Sequence, residues 1–403
     1  MQIVIKNLKY LIINILLSIV NVLIPRRKDL WVIGGWFGKR FADNSKYLYL
    51  YLSQNKQKIN LNRVVWITDD KKIFKNLKAK GYDVEFKNSI KGIWIQLRSK
   101  VHIVDNNPKE DINGILSLGA LKINLWHGIP LKKIGNFSNP NYSQNNIIKN
   151  IKRNILKGLS TPGKWENCYY LATSEYIGYL MKEAFCNEND KIIITNYPRN
   201  DFMMTNSINN VILNGEKKFI DNIQAHKYIK IIGYFPTFRE NKRQCNFNRE
   251  NLQKINKYLE KNKYMLVTKF HLADKQNINI NNYSNIINLP PYFDIYNIIK
   301  KLDVLVTDYS SIAFDFILLN RKIIYYVYDL EEYIKNERDF LLDFNKYTFG
   351  VKVKNIRELI CEIENENTYK EYNEKFYNIK HKLYSKNEFG CVNIAEWINK
   401  KIN

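Results

Sequence analysis

Short continuous apolar runs recur along the chain, each closed by Gly, Pro, Asn, Asp, Ser or His. Several are followed by stretches whose apolar residues return every three or four positions. The runs read as strands buried on both faces and the spaced stretches as amphipathic helices. The predicted strands are Leu30–Trp36, Val64–Thr68, Val101–Val104, Leu121–Trp126, Tyr169–Thr173 and Ile192–Thr195, then Tyr228–Tyr234, Tyr264–Phe270, Ile286–Leu289, Val304–Val306 and Ile323–Val327. Helical spacing covers 249–262, 312–319, 355–364, 367–384 and 390–402. Strand alternating with helix predicts parallel sheets with crossover helices, an α/β protein of two Rossmann-like halves. The rhythm lapses in the polar stretch 203–226. The expected organisation is therefore a first domain at 29–205, a linker at 206–226, a second domain at 227–385 and a terminal helix at 386–403.

Residues 8–24, LKYLIINILLSIVNVLI, are the most hydrophobic window. A helix of that length spans about 25 Å, short of the ~30 Å hydrocarbon core of a bilayer. Asn7, Asn14, Ser18 and Asn21 fall on one polar stripe, Pro25 ends the segment, and Arg26, Arg27 and Lys28 follow. Three readings are open: a helix lying in the membrane interface, a short transmembrane anchor, or a helix buried against the body. The expectation adopted is an amphipathic, membrane-associating segment at 1–28, with the basic flank facing anionic lipid on the cytoplasmic side.

Charge changes the picture next. Sixty-three Lys and Arg against 39 Asp and Glu leave a net charge of +24, which points to an anionic partner: nucleic acid, a membrane surface or a phosphate-rich substrate. No nucleic-acid-binding signature accompanies the basic residues. The five cysteines (168, 186, 245, 361, 391) show neither paired spacing nor clustering with His, and read as reduced thiols. No Walker loop, post-strand GxGxxG, GxSxG or carboxylate cluster for a divalent metal is present.

Candidate chemistry sits where strands end. The unit LDVLVTDYSSIAFDF (302–316) runs from an apolar strand through a polar turn into a helix. Ser310 and Ser311 stand at that helix entry, either as caps or as ligands of a phosphate, since unpaired N–H groups there attract anions. Of five histidines, His127 and His271 both follow predicted strands, one in each half. Each is either a structural loop residue or a proton-transfer and phosphate-stabilising group. His102 lies inside a strand and reads as a core residue; His226 and His381 lie in polar surroundings. Lys132, Lys133, Arg199, Arg239 and Lys269 fall in the same strand-end regions and would suit a diphosphate, Arg by its fork and Lys as a point charge.

WFGKRFADNSKY (36–47), WHGIPLKKIG (126–135), NYPRND (196–201), YFPTFRE (234–240), KFH (269–271) and TDYSSIAFDFILLNRKIIYYVYDLEEY (307–333) occur in this order. Together they resemble the CDP-glycerol glycerophosphotransferase family of teichoic acid and capsule enzymes. The resemblance covers about residues 30–350. It implies a glycosyltransferase-B-like architecture, two Rossmann-like domains facing a central cleft, with the acceptor side on the first and the CDP-alditol on the second. It further implies peripheral attachment to the cytoplasmic face of the bacterial membrane. The chain departs from the family pattern where Leu272 follows His271 in place of Pro, and where ERDFLLDF (337–344) and TFGV (348–351) stand for the family's aromatic and Pro-Gly-Pro pieces. Glycerol and ribitol are therefore both open as the alditol.

What the resemblance implies for the reaction is transfer of glycerol phosphate, or a related alditol phosphate, from its CDP form to a hydroxyl of a lipid-linked or capsular polymer, with release of CMP. No tightly bound cofactor is expected, and metal dependence stays open. His127 is the candidate base, and His271 with Arg239 holds the diphosphate. Ser310 and Ser311 cradle phosphate oxygens while Asp308 orders their turn. Pro236, Thr237 and Lys269 complete the donor side. Gly128, Lys132, Asn196, Arg199 and Asp201 belong to the acceptor side or cleft. A nucleotide-sugar glycosyltransferase of the same architecture and a non-catalytic polyanion-binding envelope protein are the rival readings.

Overall fold

The structure is a computed structural model that describes residues 12, 15–17, 19, 20, 23–138, 168–185, 191–225, 227–237, 239, 249–269, 283–336, 339–366, 373–384 and 389–403. The chain divides into two compact units. One runs through His127, resumes at Gly135–Leu213 and takes in Tyr384–Asn403; the other comprises Gly128–Ile134 and Asn214–Leu383.

In the first unit the elements are β1 (Arg27–Ile33), α1 (Asp43–Gln54), β2 (Arg63–Thr68), α2 (Lys71–Ala79), β3 (Val84–Phe86), α3 (Ile90–Arg98), β4 (Ser99–Val104), β5 (Leu121–Asn124), β6 (Tyr169–Ala172), α4 (Glu175–Phe185), β7 (Ile192–Ile194) and α5 (Pro198–Met204). The strands form one sheet in the order β3-β2-β1-β4-β5-β6-β7, every pair parallel. Helices start where the sequence supplies caps: Asp70 accepts from the amides of Lys72 and Ile73, and Ser89 from that of Gly92. Leu30, Val32, Val65, Ile67, Ile95, Val104 and Ile112 make one continuous core cluster.

The second unit contains α6 (Asn214–Ala225), β8 (Lys230–Tyr234), α7 (Arg249–Asn262), β9 (Tyr264–Thr268), β10 (Ile286–Asn288), β11 (Val304–Thr307), α8 (Ile312–Phe316), β12 (Lys322–Tyr326), β13 (Val351–Val353), α9 (Ile356–Glu364) and α10 (Asn373–Leu383). Its parallel sheet has the order β10-β9-β8-β11-β12-β13, the dinucleotide-fold order. The last helix, α11 (Gly390–Ile402), returns to the first unit. There Asp201 accepts from the amides of Gly390 (2.9 Å) and Cys391 (2.7 Å), so a side chain on α5 caps α11.

Three expectations change. The stretch read as a linker carries α6, whose buried Ile220 and Ile223 give a polar sequence enough apolar face to dock. β3 and β13, three residues each, have no period long enough to read. Of the basic flank at 26–28, Arg26 is held by the protein body and is not a lipid-facing cation, while Arg27 and Lys28 are exposed at the start of β1. Arg26 donates from Nη1 to the main-chain oxygens of Gln96 (3.0 Å) and Ser99 (2.6 Å), and from Nη2 to those of Leu116 (2.7 Å) and Leu118 (2.6 Å). Burial lowers its pKa to about 10, still charged at neutral pH. Arg27 pairs with Asp29 at 2.8 Å. Among the described residues no helix is long and apolar enough to cross a membrane.

Candidate active site

Each sheet has one point where strand order reverses: between β1 and β4 in the first, between β8 and β11 in the second. Ligands of open α/β sheets bind outside the carboxyl ends of the strands at such points. Both reversals are built alike. The residue directly after the outgoing strand is an aspartate, Asp105 after β4 and Asp308 after β11. Its Oδ1 accepts the amide of the third residue past the neighbouring strand: Trp36 (3.1 Å) past β1, and Thr237 (2.8 Å) past β8.

At the first reversal the β1 exit is Gly34-Gly35 for a steric reason. A Cβ on Gly34 would lie 2.2 Å from the Asp111 main-chain oxygen. Asp111 in turn accepts the amides of Phe37 (2.7 Å) and Asn106 (2.8 Å). Burial, with Asp111 and Asp43 nearby, raises the pKa of the Asp105 carboxyl well above the ordinary carboxylate value.

His127 follows β5 beside this exit. Its Nδ1 lies 3.3 Å from the Asp105 main-chain oxygen. A carbonyl can only accept, so Nδ1 carries the proton and Nε2 keeps its lone pair. The imidazole stacks on Trp126 at 4.4 Å between centroids, with Trp36 at 6.4 Å. Burial lowers its pKa, against the charge of Asp43 and the bond to Asp105, which raise it. A neutral imidazole with a bare Nε2 is the form a general base needs.

Arg199 and Asp201, on α5, have distinct jobs. Arg199 is 2% exposed and ion-paired with Asp43; Asp201 caps α11, and burial raises its pKa to about 6. Asn196 is buried. Gly128, at φ +136°, takes the chain out of the His127 turn in a conformation that favours glycine. Lys132 lies over the Tyr333 ring at 5.2 Å, within the second unit.

At the second reversal Asp308 Oδ1 also accepts the Tyr309 amide at 2.6 Å, and its Oδ2 lies 2.8 Å from Arg239 Nη1. Arg239 is held further by Asp329, through Nε (2.8 Å) and Nη2 (3.1 Å), and by the Thr237 main-chain oxygen. Burial works against its charge, but Asp308 and Asp329 outweigh it and raise the pKa. The buried Thr237 hydroxyl has no hydrogen-bond partner. Pro236 is half-buried beside it. Ser311 makes no capping bond to α8, and Ser310 Oγ accepts the Ile312 amide at 3.4 Å, so capping does not account for the Ser311 hydroxyl. Lys269 Nζ donates to the Phe293 main-chain oxygen at 2.6 Å. His271 lies outside the described residues. His102 is a core residue as expected, its ring nitrogens 2.8 Å from Ser117 Oγ and 2.9 Å from the Gln96 main-chain oxygen. Among the described residues no three His, Cys, Asp or Glu side chains gather as metal ligands.

The structure adds residues that spacing along the chain could not nominate. Asp43 and Asn44 at the start of α1, and Asp105 after β4, surround His127 although 80 or so residues separate α1 from it. Two parallel sheets, each with a polar constellation at its reversal point, define the class: an α/β protein of two Rossmann-like units with polar groups gathered at its strand exits. The family model described as CDP-Glycerol:Poly(glycerophosphate) glycerophosphotransferase matches residues 17–390, and the chain belongs to that family.

It is similar to a teichoic acid poly(glycerol phosphate) polymerase of Bacillus spizizenii, 29% identical over 91% of this chain and 90% of that one. It is also similar to a teichoic acid glycerol-phosphate transferase of Staphylococcus aureus, 30% identical over 87% of this chain and 88% of that one. A solved structure of the wall teichoic acid polymerase TagF aligns over 100% of this chain and 97% of that chain, with a TM-score of 0.73 and 22% identity. The chain is accordingly a CDP-glycerol-dependent glycerophosphotransferase by family.

Proposed function

We propose that this protein transfers glycerol phosphate from CDP-glycerol to a terminal hydroxyl of a growing teichoic acid chain and releases CMP. The observation that carries the reading is His127: a neutral imidazole, proton on Nδ1 and Nε2 bare, at a strand exit of a chain in this family. Nε2 takes the acceptor hydroxyl proton as the oxygen bonds to the phosphorus that bears glycerol. The bond from that phosphorus to the bridging oxygen breaks, and CMP leaves with the electron pair. Such transfers draw mainly on positioning and charge stabilisation.

On the second unit, the unengaged Thr237 hydroxyl and those of Ser310 and Ser311 are the donor-phosphate ligands, and Lys269 and His271, which follow β9 in the sequence, complete the set. Arg239 acts through the carboxylates it holds. Glycerol is favoured over ribitol because the relatives matched along most of the chain are glycerol-phosphate proteins, whereas a ribitol-phosphate polymerase of Bacillus spizizenii matches only 60% of it. Purified protein with a defined acceptor, offered CDP-glycerol, CDP-ribitol and UDP-sugars in turn, is expected to release CMP from CDP-glycerol and add glycerol phosphate by mass. Nucleotide release from UDP-sugars alone would replace this reading with a glycosyltransferase, and release from none would favour the polyanion-binding protein. His127→Ala should cut turnover by about 10²–10⁴-fold while remaining folded; near-normal CMP release by that variant would remove His127 from the role of base.

Peripheral attachment to the cytoplasmic face of the membrane belongs to the same proposal. Ile12, Ile15, Leu16, Ile19 and Leu23 are all exposed, between 49 and 75%. Their spacing of three, one, three and four puts them on one helical face. A protein with Ser at these positions and Arg26 retained should stop sedimenting with anionic vesicles. Unchanged sedimentation would sink the interfacial helix.

A further inference from the structure

We propose that the buried Asp43–Arg199 ion pair is a positioning device for His127, fixing the backbone and the aromatic walls that aim its imidazole. The proposal rests on the reading of His127 as the base. Three sets of contacts converge on it. Arg199 Nη1 donates to the His127 main-chain oxygen at 3.0 Å while it also engages Asp43. Asp43 Oδ2 accepts the Trp36 indole N–H at 3.2 Å, which sets one wall beside the imidazole. Asn44, the next residue, donates from Nδ2 to the Trp126 main-chain oxygen at 2.8 Å and accepts the Arg199 amide at 3.4 Å. The two residues preceding and including His127 are thus tied at successive carbonyls to α1 and α5.

The backbone explains why ties are needed. Trp36 (φ +46°), Phe37 (+61°), Asp43 (+64°) and Trp126 (+57°) all occupy the left-handed region, four of the seven non-glycine residues that do so among those described. Each such residue is strained and persists only where its surroundings over-determine it. Stability alone does not explain the pair. A buried ion pair gives back little more than its desolvation cost, and well-packed apolar residues do as well. What apolar residues cannot do is hold a carbonyl and an indole N–H at once.

The charges facing His127 come from α1 (Asp43) and α5 (Arg199), and they pull its titration in opposite directions: Asp43 upward, Arg199 downward. The third neighbour, Asp105 beyond β4, meets the imidazole through its main-chain oxygen, and burial raises the pKa of its carboxyl. A pair that merely staples α1 to α5 predicts only lost stability when it is broken. A positioning pair predicts more.

The test uses the full-length protein with CDP-glycerol and a defined acceptor. It reads kcat, KM for CDP-glycerol, the pH profile of kcat, and the His127 ring signal by NMR. With only five histidines in the chain, the signal is assigned by its loss in His127→Ala. Asp43→Asn is expected to move the His127 titration and the acid limb of kcat to lower pH, and Arg199→Gln to higher pH. Each should lower plateau kcat by about 10–10²-fold at little-changed KM, the scale of a small misplacement.

Arg199→Lys and Asp43→Glu keep both charges and lose only the geometry. They decide the matter if the neutral variants do not fold: the expected result is a fallen kcat, and wild-type kcat in both would overturn the proposal. Shifts of the same sign in Asp43→Asn and Arg199→Gln, or losses confined to melting temperature, would overturn it too. Full turnover by His127→Ala would instead remove the base reading beneath it. Collapse of His127→Ala beside wild-type behaviour of the pair variants would remove this proposal alone.

Discussion

Arg239→Gln separates an anchor from a ligand. Arg239 is 5% exposed and Asp308 fully buried. A guanidinium has five N–H donors. Here Nε and one N–H of Nη2 go to Asp329 and one of Nη1 to the Thr237 carbonyl, while Asp308 Oδ2 lies 2.8 Å from Nη1 as an ion pair. The Tyr309, Tyr328 and Tyr333 rings surround the group at 5.4, 5.4 and 5.6 Å. Removing the cation leaves two carboxylates facing each other in a poorly solvated site, for which breaking a buried pair costs about 3–5 kcal/mol. Against a typical stability of about 5–15 kcal/mol for a domain, that is a large fraction.

All seven tryptophans lie outside the second unit, so urea unfolding followed by tryptophan fluorescence reports the first unit, and far-ultraviolet circular dichroism reports both. Arg239→Gln is expected to leave the tryptophan transition in place and bring part of the dichroism transition to lower urea. Arg239→Lys, which keeps the charge and loses the fork, should fall between. A variant of wild-type stability with a raised KM for CDP-glycerol would refute the reasoning and make Arg239 a direct ligand of the diphosphate.

Other outcomes follow from the same structure. Gly34→Ala places a methyl 2.2 Å from the Asp111 carbonyl carbon's oxygen, and the backbone must yield. A loss of about 1–3 kcal/mol is expected in chemical unfolding, and an unchanged midpoint would contradict the packing at the β1 exit. Asp201, with a pKa near 6 in the folded protein against 3.8 when unperturbed, binds its proton more tightly folded than unfolded. Its contribution is therefore fully present below about pH 4 and is lost as pH rises through about 6. The loss is about 3 kcal/mol at 1.36 kcal/mol per pKa unit. Asp201→Asn should flatten that part of the stability profile between pH 4 and 7; a wild-type slope in the variant would assign the effect elsewhere.

How far the chain could be read without its structure depended on where each determinant lies. The two parallel sheets were legible because fully buried strands leave continuous apolar runs, as in Val64–Thr68 and Val304–Thr307. The strand exits were legible because parallel sheets put chemistry there. Arg26 was misread because its partners are four carbonyl oxygens, and backbone acceptors have no sequence signature. Arg199 was nominated without its reason. The partner, Asp43, lies 156 residues earlier, and no periodicity connects two helix starts brought together by a seven-stranded sheet. Arg239 was nominated for a phosphate because cations at strand ends suit one; the structure shows two carboxylates already there.

The matched reversal points explain why the two units present opposite chemistry from one device. In each, an aspartate after the outgoing strand clips the amide of the third residue past its neighbour. At Asp308 the carboxylate has Arg239 as counter-ion at 2.8 Å and so fixes a cation near Thr237, whose main-chain oxygen Arg239 also engages. At Asp105 no ion pair with a described cation is seen, and burial, with Asp111 and Asp43 near, raises the pKa of its carboxyl. The charges acting on His127 are those of Asp43 and Arg199, opposed in sign, while burial, the larger effect, lowers its pKa. What differs between the two clips is the partner: Asp308 has a guanidinium beside it and Asp105 has two carboxylates. Asp105→Asn, isosteric and permanently neutral, should on this reasoning change the His127 titration less than Asp43→Asn does.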